Sequence, residues 1–410
     1  MKFCLPLGPL LRPRAKPGVA VPVRRQHGAV PKKDPSPWVY DMLCQKFPRH
    51  RLHGLEQKEG LEKVHSLVDF VESRKFVNPS FETPYGYHAS KRLTGLCATV
   101  DVFNDPEKEQ VYLSVGGAQR RVLGKGGFKR ATLGIDYSHE RACALLKSVY
   151  GFDDLDNQEL LYEGKVTSEL TKGWGLGSMN AGIYHSIKHH GARGRFYMPL
   201  AVHGDLGKRI HPSKPIATTE CVDMMLTLCQ QLKSIHGQGF AHRDIKVENV
   251  FGFKSEEPGS DKPRWALMDF GLTSNAPLYR TLEGTLDCMD PTLVEIHGQK
   301  GEMGRHRLED QQRADIYSLG LVFYHLLTAT PYPLKEMVYE SIIMRKYGSD
   351  PFKAEQLNYI YDQEKAGHAH WESRDPVRFE LLRIGNDLLT PHARDRATLE
   401  DAIQQLISLR

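Results

Sequence analysis

Three chemically capable side chains crowd into one short stretch, residues 241–250, AHRDIKVENV. Asp244 can accept a proton, the Lys246 amine can neutralise a phosphate, and the carboxamide oxygen of Asn249 can bind a metal ion. An acid and a lysine two residues apart are usually a solvated surface pair. The further asparagine, and a place between an amphipathic helix and an apolar residue, argue for a loop that brings the three groups to one point. Twenty positions after Asn249, WALMDFGLT (265–273) carries an acid out of an apolar run at Asp269, with Gly271 allowing a turn behind it. Upstream, VLGKGGFKRA (122–131) sets Gly124, Gly126 and Gly127 between two strand-like runs. Glycines there let backbone N–H groups approach an anion closely. Lys147 ends the apolar run CALLKSV, and a lysine in that setting needs a partner.

In this order the motifs resemble those of eukaryotic-type protein kinases. HRDIKVEN is similar to the catalytic loop H-R-D-x-x-x-x-N, and the lysine two residues after the aspartate resembles the serine/threonine type. The resemblance implies that Asp244 takes or orients the proton of a substrate hydroxyl. It makes Asn249 and Asp269 magnesium ligands and Lys246 and Thr285 their neighbours at the substrate. It makes the glycine segment a lid over ATP phosphates, although Lys129 replaces the third glycine and Ala131 the following valine; Lys129 adds a positive charge to the lid. Lys147 fits the strand lysine that pairs with the phosphates and with an acid on the next helix. Glu159, Glu163 and Glu169 compete for that role, and spacing favours Glu163. YMPLAVHGDL (197–206) resembles the linker between lobes, with Met198 as gatekeeper and Pro199, Leu200 and Ala201 facing adenine.

RADIYSLGLVFYHLL (313–327) resembles a large-lobe helix in which Asp315 holds the catalytic-loop backbone, with Tyr317 at a position usually tryptophan. GTLDCMDPT (284–292) resembles the substrate-binding segment, with Thr281 just before it at a site of activating autophosphorylation and Arg243 as the partner of that phosphate. Thr292 stands where the family has a glutamate paired with the arginine that maps to Arg396. That ion pair is therefore missing or made by another acid, such as Glu295. The long stretch 297–312, with Lys300, Arg305 and Arg307, reads either as a solvated loop or as a preference for acidic or phosphorylated substrates.

Positioning these groups requires a small sheet lobe followed by a helical one. RRVLGKGG (120–127), KRATLGIDY (129–137) and RACALLKSV (141–149) read as three strands, and 154–171 as a polar helix. CVDMMLTLCQQLKSIH (221–236) and ADIYSLGLVFYHLLTA (314–329) read as the clearest helices. The expected fold class is α+β: a bilobal kinase domain over 118–410, with a small antiparallel-sheet lobe at 118–198 and a larger helical lobe at 202–410. Residues 38–117 form an extension, a helix around Leu61, Val64, Leu67, Val68 and Val71 and then the strands LCATVDVF (96–103) and QVYLSV (110–115). It reads as a structural cap or a regulator of the domain that follows.

Residues 1–33 carry eight basic side chains and no acid. With those eight removed from a net charge of +5, the remainder is −3, which argues against a nucleic-acid binder. Residues 1–37 hold eight prolines and read as a disordered tail or a targeting segment. Seven cysteines without a C-x-x-C pair suggest free thiols in a reducing compartment, and no run is apolar enough to span a bilayer. The expected location is cytoplasmic, with delivery into a host cytosol or an organelle as the alternative. The expected reaction is ATP- and magnesium-dependent phosphorylation of a protein substrate. A nucleotide-binding scaffold on the same fold, or a kinase for a small molecule or lipid, are the rival readings.

Overall fold

The computed structural model describes most of residues 87–410, with breaks at 94–97, 106–109, 117–121, 126–128, 149–153, 178, 187–190, 256–259, 280–283, 286–287, 294–304 and 334–353. Before residue 87 it describes Asp41, Lys58, Glu59, Leu61, Glu62, Val64 and His65, all but Asp41 within 58–65. Leu61 and Val64 of the expected early helix are helical, and Val64 is buried; Leu67, Val68 and Val71 lie outside the described residues.

The first lobe is one eight-stranded sheet: β1 (Tyr87–Leu93), β2 (Ala98–Asp105), β3 (Gln110–Gly116), β4 (Val122–Lys125), β5 (Lys129–Asp136), β6 (Arg141–Ser148), β7 (Asn180–Ser186) and β8 (Gly191–Pro199). The helix α1 (Asp154–Leu170) connects β6 to β7. The strand order is β3-β2-β1-β7-β8-β6-β5-β4, and β3 pairs with β5 as well. That extra ladder, Tyr112 to Asp136 through Ser114 to Gly134, closes seven strands into a ring and leaves β4 as a flap on β5. All the pairings are antiparallel except a short parallel contact between β1 and β7. The sheet is larger than the sequence suggested, and it runs across residue 117, where the extension was expected to end. The physical reason is edge management: closure gives β3 and β5 partners that open strand edges lack.

Closure also gives β6 two buried faces. Cys143 and Leu145 point one way and meet Tyr112 of β3 and Tyr197 of β8, whose rings stack with centroids 3.9 Å apart and an interplanar angle of 14°. Leu146 points the other way and packs, with Met198, against the main core that holds Phe196. Side chains alternate along a strand, so the same two faces extend to the end of β6.

The second lobe is helical, and its principal members are amphipathic. In α2 (Thr218–Gly237), Cys221, Met225, Leu228, Cys229, Leu232 and Ile235 recur at three- and four-residue steps and are all fully buried. In α3 (Leu308–Thr328), Leu319, Val322, Phe323 and Leu326 do the same. Then come α4 (Ala354–Gly367), the short α5 (Trp371–Arg374), α6 (Pro376–Leu388) and α7 (Leu399–Ser408). Asp375 caps α6 ahead of a proline at its first position, and Thr398 and Asp401 form a reciprocal cap on α7. Small ladders fix the loops between lobes and helices: β9 (Gly204–Asp205), β10 (Val250–Phe253) and β11 (Arg264–Leu267) pair in the order β11-β10-β9, and β12 (Leu278–Tyr279) pairs with β13 (Arg305–His306). Among the described residues no helix is long and apolar enough to cross a membrane.

The stack of Tyr112 on Tyr197 ties the extension to the kinase-like strands. Tyr112→Ala is expected to lower the unfolding free energy by about 3 kcal/mol or more, the usual cost of an aromatic deletion from a packed core. Urea denaturation checks this; a change below about 1 kcal/mol would show that the extension merely leans on the lobe.

Candidate active site

The site begins with backbone. β10 and β11 lie side by side, and the N–H of Met268 donates to the carbonyl of Asn249 at 2.8 Å. Asn249 is thereby set beside the start of the Asp-Phe-Gly turn. Asp269 has left-handed backbone (φ 67°, ψ 69°), and Phe270 turns inward to full burial against His242, ring centroids 5.0 Å apart. His242 is fully buried, and burial lowers its pKa against the pull of Asp315, Asp244 and Asp269. Asp315 of α3 accepts the N–H groups of His242 and Arg243, each at 2.7 Å, and meets the His236 ring at 3.0 Å. One buried carboxylate thus pins the loop that carries Asp244, and Arg243 takes φ 73° to make the bend.

Around Asp244 the contacts are dense. Lys246 Nζ lies 2.8 Å from its Oδ2, and Asn249 Nδ2 donates to the same oxygen and to the Asp244 carbonyl, both at 2.8 Å. Thr285 reaches Oδ1 with its hydroxyl at 2.7 Å and its N–H at 3.1 Å, and Lys246 also donates to the Thr285 hydroxyl. Burial acts to raise the Asp244 pKa, but the hydrogen bonds from Lys246 and Thr285 outweigh it and hold the carboxyl below its usual range. The group is an ionised proton acceptor at neutral pH. Gly284 makes the approach of Thr285 possible: its φ is 116°, and a Cβ there would come 2.7 Å from the Arg243 carbonyl oxygen.

The second cluster corrects an expectation. Glu163 on α1 is buried, while Glu159 and Glu169 on the same helix are exposed, so the choice among the three acids falls on Glu163. Its partner, however, is Lys129 and not Lys147. Lys129 Nζ lies 2.7 Å from Glu163 Oε1 and 2.6 Å from Asp269 Oδ1. The reason is strand register. Ala131 stands opposite Leu146 and Arg130 opposite Lys147 in the β5–β6 ladder. Lys129 therefore shares a face with Leu146, the face toward α1 and the main core. Lys147 shares the face of Cys143 and Leu145, which the ring of strands encloses. Gly271 leaves room for the ammonium, since a Cβ there would lie 2.9 Å from Lys129 Nζ. Burial works against the charged amine, but Glu163 and Asp269 outweigh it and keep its pKa above the ordinary lysine value. Burial pushes Glu163 up to about 7 despite Lys129 beside it.

Of the remaining site residues, Gly124 is exposed on β4; Gly126, Gly127 and Thr281 lie outside the described residues. Met198, Pro199, Leu200 and Ala201 are half-buried at the end of β8 and just beyond it, with Met198 opposite Ala144. Arg307 is taken up by Asp310 at the start of α3, its Nε 3.1 Å from the carboxylate, and Lys300 lies outside the described residues.

The donor groups present fit a divalent metal ion. The Asn249 amide nitrogen is committed to Asp244, which turns its carboxamide oxygen to other use. Asp269 is 39% exposed at its side chain, which leaves its carboxylate accessible beside Lys129. One carboxylate and one amide oxygen suit an ion that keeps waters and phosphate oxygens as its other ligands.

The ion pair that Thr292 cannot make, expected to be missing or made by another acid, is made by an acid two residues earlier. Asp290 Oδ2 lies 2.6 Å from Arg396 Nη1, both side chains 1% exposed, and Arg396 also donates to the carbonyls of Arg313 and Thr390. Glu295, the acid suggested by sequence, lies outside the described residues. Asp290→Leu leaves a buried guanidinium without its counter-charge and is expected to cost about 3–5 kcal/mol, whereas Asp290→Leu with Arg396→Met costs less than either single change. Chemical denaturation of the four proteins checks this, and additive losses would contradict it.

Comparison with known proteins agrees with this geometry. The protein kinase domain family matches residues 118–407. An Aurora kinase of Yarrowia lipolytica is 26% identical over 222 residues, 53% of this chain and 53% of that protein. The serine/threonine-protein kinase CHK1 of Saccharomyces cerevisiae is 26% identical over 210 residues, 50% and 34% of the two chains. A probable serine/threonine-protein kinase, iksA, of Dictyostelium discoideum is 30% identical over 213 residues, 47% and 20%. The chain spans about half the length of these relatives or less. With the family matched over most of its length and a kinase-type loop assembled around Asp244, the chain belongs to the protein kinase family.

Proposed function

We propose that this protein is a serine/threonine protein kinase that transfers the γ-phosphoryl group of ATP to a hydroxyl of another protein. The observation that carries the reading is the cluster of Lys246, Asn249 and Thr285 on Asp244, which leaves an ionised carboxylate held by three neighbours at the mouth of the substrate segment. In the reaction the substrate oxygen bonds to the γ-phosphorus as the bond to the departing ADP oxygen breaks, and the hydroxyl proton passes to Asp244. Lys246 neutralises charge beside the transferring group, and Thr285 keeps both side chains in register. Asn249 and Asp269 would hold magnesium, which when bound offsets phosphate charge. The half-buried hinge at Met198, Leu200 and Ala201 would receive the adenine ring. Thr281, just upstream of Gly284, is the proposed place for self-phosphorylation.

The relatives' names support the hydroxyl-amino-acid class, and Lys246 at its place two residues after Asp244 agrees with them. Phosphate transfer from labelled ATP to a generic basic protein tests the proposal. Wild type is expected to label serine or threonine, with Asp244→Asn and Asp269→Ala each at least about a hundredfold slower. A wild-type protein that binds ATP but labels nothing would favour the scaffold reading, and one that labels only a small molecule or lipid would overturn the protein-substrate assignment.

A further inference from the structure

We propose that the phosphate-anchoring lysine of this kinase is Lys129, on the strand that follows the glycine lid, and that Lys147 takes no part in nucleotide binding. The inference rests on the kinase reading above and specifies which amine serves it. Its ground is geometric. Lys129 Nζ is within hydrogen-bond distance of both Glu163 on α1 and Asp269 at the metal-binding turn. These are the two carboxylates that an anchor must face, one to fix its direction and one to share the phosphate-bound metal. The ammonium is largely enclosed, 26% exposed at its side chain, and Gly271 supplies the space it fills.

The usual strand position is closed to this role here. On β6 the residue that shares the face of Lys129 is Leu146, which packs against the main core. Lys147 is one residue further on, and a shift of one residue moves a side chain to the opposite face of a sheet. The opposite face of β6 is the one that Tyr112 and Tyr197 cover. Lys147 would have to turn the end of the strand over to reach the phosphates. An amine approaching from β5 instead enters from the lid side, at the position where the third lid glycine is absent from the sequence. The lysine that stands in place of the third lid glycine thus delivers the positive charge that position 146 lacks.

The proposal makes a relocation testable. Wild type, Lys129→Met, Lys147→Met, and the double variant Lys129→Met with Leu146→Lys are compared in full-length protein, each first shown by thermal melting to be folded. Two readouts are taken: equilibrium binding of a fluorescent ATP analogue with magnesium, and the kcat and KM for ATP in phosphate transfer. Lys129→Met is expected to lower kcat/KM by about a hundredfold to a thousandfold, as loss of one preorganised phosphate donor does. Lys147→Met should stay within about threefold of wild type, and the double variant should recover at least about tenfold of the loss. Loss of function in Lys147→Met with Lys129→Met intact would overturn the assignment while leaving the kinase reading in place. Should wild type bind nucleotide without transferring phosphate, the kinase reading fails, and the binding arm still decides: weaker binding in Lys129→Met alone supports the anchor, and equal binding in all four overturns it.

Discussion

A single ammonium group, that of Lys129, joins three elements far apart in the chain: the strand after the glycine-rich segment, the helix that carries Glu163, and the turn that carries Asp269. Each partner has a cost that the others offset. Glu163 is buried and would be disfavoured as an isolated charge, and the amine is largely enclosed and would be disfavoured without two acids beside it. The pairing therefore constrains where α1 sits against the sheet and which way the Asp-Phe-Gly turn opens. The loop that carries Asp244 is held separately, by Asp315 on the backbone of His242 and Arg243, and the two systems meet where Met268 bonds to Asn249.

The closed ring of strands accounts for the lysine's place. In an open sheet the outer face of β6 would meet solvent, and a long cationic side chain could bend around the strand end. Here β3 lies across β5, Tyr112 stacks on Tyr197, and the outer face has become an interior lined by Cys143 and Leu145. The extension is thus part of the lobe's architecture. Its strands and the cleft-facing lysine are two consequences of one sheet.

Legibility follows the range of the interactions. Asp244, Lys246 and Asn249 are readable because they lie within one loop whose length fixes their meeting point, and Asp269 because an apolar strand leads straight to it. The helices of the second lobe are readable from three- and four-residue steps, as at Leu228, Leu232 and Ile235. The partner of Glu163 is not: composition places Lys147 at the end of an apolar run, while the face it occupies depends on register, and a single position reverses it. The pattern does hold a clue, since Lys129 lies on the same face as Ala144 and Leu146 once β5 and β6 are paired. Asp290 escapes a reading by position, because the acid that meets Arg396 stands two residues before Thr292, and a buried guanidinium accepts a carboxylate from any backbone position within reach. The ring closure is not legible at all, since β1 finds β7 and β3 finds β5 through pairings that no local pattern encodes.

The most direct test is chemical. An acyl-phosphate derivative of ATP places an activated acyl group where the phosphates bind; a nearby lysine amine attacks the acyl carbon, forms an amide and releases the nucleotide. Peptide mapping after brief exposure then reads which lysine lies at the phosphates. The account predicts acylation of Lys129 that excess ATP suppresses, with Lys147 unlabelled. ATP-suppressed acylation of Lys147 with Lys129 untouched would contradict it.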